Sequence, residues 1–220
     1  MKKIFALALA AATFIGTTSH AATLGGDFTV FAVNFDADGV RGDVHATLDN
    51  FTDAAAVSGA VADVFSYKGL IDFGVRGPQR AAFTVEDWLK TGTGTYAGLD
   101  SALGDSQLSF PKFTTTTMFL FTATYANGFD YDVQHDDGFA SFDDGVAGIK
   151  YENATGVRNT NGGTFDGGTF GVLYVAANGN PSVLNITGDN VAGVPAVPLP
   201  ASGLLLLGAL GYLGAKRRKA

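Results

Sequence analysis

Residues 22–190 predict an all-β fold: an antiparallel, jelly-roll-like β-sandwich carrying one short helix. Three observations lead there. Gly, Thr, Asp, Asn, Phe and Val dominate this stretch while Glu, Met and Lys are scarce, which is the composition of strands and turns. Residues 115–125 and 129–134 alternate with the period of two that a half-buried strand requires. Polar clusters such as Asn127-Gly128, Asp136-Asp137-Gly138 and Asp143-Asp144-Gly145 recur between short apolar runs. Many short strands separated by such turns favour an antiparallel sandwich.

In chain order, residues 1–21 come first. Lys2 and Lys3 precede an apolar run over residues 4–15 and the small-residue site Ser19-His20-Ala21, the pattern of a secretory signal peptide. Residues 27–35 (DFTVFAVNF) are rich in strand formers, and Asp36-Ala37-Asp38-Gly39 is a turn. Residues 40–48 are expected to pair back on that strand. Residues 54–62 are small and fit neither period, and 70–75 read as a strand. The one short helix begins at Thr84. Asp87 follows three residues later as in a capping box, Glu86 also sits in the first turn, and Gly92 can end the helix. Trp88 is expected to anchor the core from it.

Residues 91–98 read as a Gly/Thr loop. In the next strand Thr115, Thr117, Phe119, Phe121, Ala123 and Tyr125 share one face, and Asn127-Gly128 signals a hairpin. In the strand after it, Phe129, Tyr131 and Val133 face one way and Asp130, Asp132 and Gln134 the other. A short strand over 139–142 lies between the two Asp-Asp-Gly turns. Residues 155–168 read as an Asn/Gly-rich loop. The final strands, 170–176 and 182–187, are joined by Ala177-Asn178-Gly179-Asn180-Pro181.

The stretch 22–190 holds all 21 acidic residues of the chain but only eight basic ones, a formal charge of −13 against −7 for the whole. Such a body lacks the basic footprint that nucleic acid requires, and it tolerates divalent cations. There is no cysteine, so the core must hold without disulfides.

Residues 191–200 are a Pro-containing linker, and 201–220 an apolar segment with a basic end, expected to be a transmembrane helix. The uncharged part, 201–215, spans roughly 22 Å as a helix against a hydrocarbon core of about 30 Å. Such a marginal span suits a temporary hold. Lys216, Arg217, Arg218 and Lys219 should remain cytoplasmic, with the body outside. This tail resembles the VPLPA variant of the PEP-CTERM sorting signal, with Val197, Pro198, Leu199, Pro200 and Ala201 as its motif. The resemblance implies a membrane-held precursor, recognition by an exosortase-type membrane protease, cleavage near the motif, and delivery to the cell surface or matrix. A plain C-terminal anchor is the simpler alternative.

The segments FDYDVQHDDGFASFDDG (129–145) and FGVLYVAANGNPSVLNI (170–186) resemble the protective-antigen-type β-sandwich of toxins, glycosidases and adhesins. In its adhesin members an adjacent Asp pair and an Asn of a second loop bind Ca²⁺, which holds sugar hydroxyls. The resemblance therefore implies Asp136 and Asp137 as metal ligands, with Asn178 or Asn180 from the facing loop. Hard carboxylate and amide oxygens suit calcium, although adjacent carboxylates converge only at an unusual backbone, for example a cis peptide. The alternative is an ordinary polar turn.

Catalytic patterns are thin. His45 and His135 are the histidines after residue 21, and there is neither a G-x-S-x-G nor an H-E-x-x-H motif. His135 reads as a hydrogen-bonded turn residue, a ligand or a base. No catalytic residue is expected. The reading is an exported, non-enzymatic surface or matrix protein related to adhesion or glycans. The alternatives are a secreted carbohydrate-active hydrolase and a purely structural surface protein.

Overall fold

The computed structural model describes residues 21–38, 44–78, 81–144, 147–153 and 156–189. The signal peptide up to His20, the linker and the sorting tail lie outside the described residues. The described strands are β1 (Ala22–Thr23), β2 (Gly25–Asp36), β3 (Val61–Leu70), β4 (Asp72–Val75), β5 (Gly94–Ala97), β6 (Thr115–Tyr125), β7 (Phe129–Asp136), β8 (Phe139–Asp143), β9 (Ala147–Glu152), β10 (Arg158–Phe165), β11 (Gly168–Ala176) and β12 (Ser182–Asp189). They form two antiparallel sheets. Seven strands run β5-β3-β2-β6-β11-β8-β9, and five include the path β1-β12-β7-β10. β4 and β1 follow one another along one edge of β12, against residues 182–185 and 187–188, while β7 holds the other edge.

The two sheets share one core. Phe119, Phe121 and Tyr174 of the large sheet meet Phe73, Phe129, Tyr131 and Leu184 of the small one, all at most 4% exposed. The expected alternation in β6 is present, with Phe119, Phe121, Ala123 and Tyr125 inside. A second apolar layer covers part of the large sheet's other face, where Met118, Leu173 and Val175 pack with Val44, Ala46 and Ala54. That cover explains the near-continuous apolar run of β11, since both of its faces are buried.

Several elements depart from the expectation. There are three short α-helices among the described residues: α1 (Leu48–Ala56), α2 (Val85–Leu89) and α3 (Ser101–Gly104). The described part of 40–48 does not pair with β2, whose edges are occupied by β3 and β6. Residues 48–56 instead form α1, capped by Thr47, which lays Ala54 on the sheet. Residues 94–97 and 158–165, read as loops, are strands β5 and β10. Their Gly, Thr and Asn content masked them, and tertiary pairing overrides weak local propensity.

Asn127-Gly128 is not a hairpin turn. β6 and β7 belong to different sheets, so the chain crosses the sandwich there. The helix beginning at Thr84 is present with its capping box: Thr84 Oγ1 accepts from Asp87 N at 3.1 Å, and Asp87 Oδ2 accepts from Thr84 N at 3.2 Å. Trp88 is fully buried, stacked on Phe73, Phe119 and Tyr174 at 4.4, 4.7 and 5.3 Å.

Candidate metal centre at the sheet crossing

The site is built where two crossings run side by side. β7 and β12 are neighbours in the small sheet, and β8 and β11 in the large one. Residues 136–139 therefore cross from small to large sheet beside residues 177–181, which cross back. Backbone bonds lace them together: Asp137 N donates to Val175 O at 3.3 Å, and Val175 N to Gly138 O at 2.9 Å. The Asp136–Asp137 and Asn180–Pro181 peptide bonds are cis. Asn178 and Gly179, at φ 59° and 82°, occupy the left-handed region that Asn and Gly tolerate best, and so tighten the second crossing.

Asp136 and Asp137 are both buried, at 3% and 5% exposure. Asp137 Oδ2 accepts from Ala177 N at 2.8 Å, which fixes this carboxylate against the facing loop. The Tyr174 hydroxyl donates to the Asp136 carbonyl at 2.5 Å. Burial pushes the Asp136 carboxyl up to about 6, and its contact with the Asp137 side chain only partly offsets that. Burial, followed by the fields of Asp137 and Asp136, also raises the Tyr174 hydroxyl.

The two candidate asparagines differ. Asn178 Oδ1 accepts from Lys112 N at 3.1 Å, which ties it to the 3₁₀ turn Pro111–Phe113 through one of its two lone pairs. Asn180 is bonded through its nitrogen instead. Its Nδ2 donates to Pro78 O and Ala81 O, both at 3.1 Å, which leaves Oδ1 as the amide end open to a cation. Asn180 is 8% exposed.

His135 is wholly buried and lies against Phe139 at 4.6 Å. Its Nδ1 is 2.6 Å from Asp137 O, and its Nε2 is 3.0 Å from Thr160 Oγ1. A carbonyl can only accept, so Nδ1 carries the proton, and the neutral ring takes a hydrogen bond from Thr160. Burial lowers its pKa and keeps it neutral. Of the roles open to it, this geometry fits a hydrogen-bonded structural residue that pins the Asp137 carbonyl.

Two supporting residues escaped the sequence reading. Tyr174 looks like one more buried residue of an apolar strand, and nothing local marks its hydroxyl. Trp88 was expected only as a core anchor. Its Nε1 also donates to Ser182 O at 3.2 Å, and its ring stacks on Tyr174 at an interplanar angle of 8°. It thus steadies both ends of the Asn loop.

The donor set suits a hard divalent cation: two buried carboxylates, an Asn amide oxygen and nearby carbonyls. Among the described residues no group of three or more His, Cys, Asp or Glu side chains could hold a metal, so amide and carbonyl oxygens have to complete any shell here.

No family model and no curated protein matches the chain. Two solved structures are similar to it. One is the PA14 sugar-binding domain from an RTX adhesin, at 16% identity and TM-score 0.45, covering 79% of this chain and 93% of that one. The other is the PA14 domain of the MpAFP antifreeze protein, at 15% identity and TM-score 0.48, covering 80% of this chain and 89% of that one.

Proposed function

We propose that the body is a non-enzymatic, calcium-dependent glycan-binding module of an exported surface or matrix protein. The observation that carries this reading is the buried Asp136–Asp137 pair, bonded to the crossing that carries Asn180, whose amide nitrogen is tied off. Burying two like charges is costly unless something neutralises them. Asp136, Asp137 and Asn180 would hold the cation, with Asn178, whose oxygen already takes one bond from Lys112 N, as the weaker amide candidate. Calcium bound there would supply open coordination positions for sugar hydroxyls. Tyr174, Ala177 and His135 then act by orientation, since each fixes a backbone or carboxylate oxygen of the pair.

A hydrolytic role fits the same pair less well. Glycoside hydrolysis needs its carboxyl groups about 5 Å or more apart across the scissile bond. Asp136 and Asp137 instead lie in side-chain contact and buried.

Export and sorting complete the proposal, resting on residues 1–21 and the motif Val197, Pro198, Leu199, Pro200, Ala201. The exosortase-type protease is the partner this implies, with a transient stay in the membrane.

The test is thermal melting of the chain with calcium and with chelator, alongside a glycan array. Calcium should raise the melting temperature of the wild type and leave Asp137→Ala unmoved. A hundredfold excess over Kd stabilises by roughly 2.7 kcal/mol. Identical wild-type melting in the two conditions would remove the metal site. Sugar release by the purified protein would favour the hydrolase.

A further inference from the structure

The outer face of the small sheet carries a second feature. β10, β7 and β12 lie side by side there, and their registers align polar side chains in rows. One row is Asn185, Gln134 and Asn159; the next is Thr187, Asp132 and Asn161. These six residues line an open groove of about 390 Å³. Its curvature has a local cause. The β10–β7 register shifts between Asn161 and Gly163, a bulge that bends and twists the strand. Gly162 permits this, because a Cβ there would lie 2.0 Å from the Tyr131 ring.

The outer face of a sandwich sheet needs only polar residues in contact with water, and most such faces carry charge. This one is different in two respects. Its lining holds a single carboxylate, Asp132, and no Lys or Arg, in a body of net charge −13. Apart from Val133, the rest of its side-chain chemistry is amide and hydroxyl. In addition, Asn161 is exposed in the groove and its side chain makes no hydrogen bond among the described residues. Gln134 Nε2 donates to Asn159 Oδ1 at 3.0 Å, which leaves its second hydrogen and its Oε1 for a ligand.

We propose that this groove binds an uncharged polysaccharide chain, independently of calcium. Amides and a hydroxyl both donate and accept, as do the hydroxyls of a sugar, and each can meet the other in either sense. The exposed Asn161 amide would meet a ligand hydroxyl in either sense. Asp132 adds an acceptor and disfavours an anionic polymer. No aromatic side chain lines the groove, so ring stacking does not contribute, and each repeat is held by hydrogen bonds alone. Weak contacts of that kind become useful when a chain presents many repeats. Along β7, Gln134 stands two residues before Asp136, so the groove begins one row from the carboxylate pair. It does not depend on that pair being occupied.

The experiment is affinity electrophoresis of the full chain in mild detergent, through native gels containing dextran, mannan, galactan or the anionic alginate, each run in chelator and, in parallel, with calcium. At least one neutral polymer should retard the wild type and Asp137→Ala equally. Asn161→Ala, whose side chain makes no hydrogen bond among the described residues, and Asn161→Ala/Asn185→Ala should weaken the retardation, the double variant by at least about tenfold in apparent Kd. Melting temperature checks that both variants are folded. The proposal is overturned if no neutral polymer retards the chain in chelator, if only alginate does, or if folded groove variants are retarded like the wild type. Retardation that appears only with calcium, and is lost in Asp137→Ala, would also overturn it while leaving the calcium reading intact.

Discussion

Replacing Asp136 by Asn should stabilise the calcium-free protein and abolish its response to calcium. Asn has the same shape and can donate to the Asp137 carboxylate. The substitution removes a charge that the fold holds at 3% exposure. Burial moves the Asp136 carboxyl from its ordinary 3.8 to about 6. A carboxyl raised that far carries roughly 3 kcal/mol against its charged form above pH 7. The sign follows from linkage. The folded state binds this proton more tightly than the unfolded state does, so the contribution is fully present below pH 3.8. It is lost as the pH rises through about 6. In chelator at pH 7.5 the variant should therefore melt above the wild type. For a body of this size about 3 kcal/mol corresponds to roughly 6–12 °C. The wild type should also lose stability between pH 4 and 6.5 more steeply than the variant. Saturating calcium should close the gap by raising the wild type alone. The assay is calorimetry or circular dichroism of the full chain across pH, with chelator and with calcium. A variant that melts below the wild type in chelator at pH 7.5, or that keeps the wild-type pH slope, would refute the reasoning.

Trp88→Ala empties the centre of the Phe73–Phe119–Tyr174 stack and removes the donor to Ser182 O, and should cost about 3–5 kcal/mol in urea unfolding; a loss under 1 kcal/mol would show that the stack matters little. Thr84→Ala breaks one half of the α2 capping box and should lower stability by about 1 kcal/mol, read as a shift in urea midpoint at constant slope. Gly162→Ala pushes β10 away from the Tyr131 ring and should cost about 1–3 kcal/mol, whereas a neutral effect would mean the bulge relaxes freely. Intact-mass measurement of surface or secreted material should show loss of residues 1–21 and of those after about Ala201; retention of Lys216 to Lys219 would leave a membrane anchor in place of a sorting signal.

Much of the fold was legible because its signals are local. The alternation from Thr115 to Tyr125, the capping box at Thr84 and the inward set Phe129, Tyr131 and Val133 each need only neighbouring residues, and each stands in the structure as read. The polar set Asp130, Asp132 and Gln134 was legible as an outer face in the same way. What that face forms was not, because a groove exists only once β10 and β12 are laid beside β7.

Composition, alternation and turn chemistry alone determined that this chain builds an antiparallel β body with an acidic surface and a helix starting at Thr84. Only the tertiary structure decided which strands share a sheet. Asn127-Gly128 has the chemistry of a hairpin, yet β6 and β7 part to opposite layers, since each buries its apolar face against the other's sheet. Residues 158–165 carry no strand signal of their own and become β10 by pairing with the exposed edge of β7. The same holds at the candidate site. The Asp pair was visible in the sequence, but which amide atoms of Asn178 and Asn180 are hydrogen-bonded depends on Lys112, Pro78 and Ala81, residues some 66 to 102 positions away. Side-chain period is a property of consecutive residues, whereas strand partners and the direction an amide faces are set by contacts between distant ones.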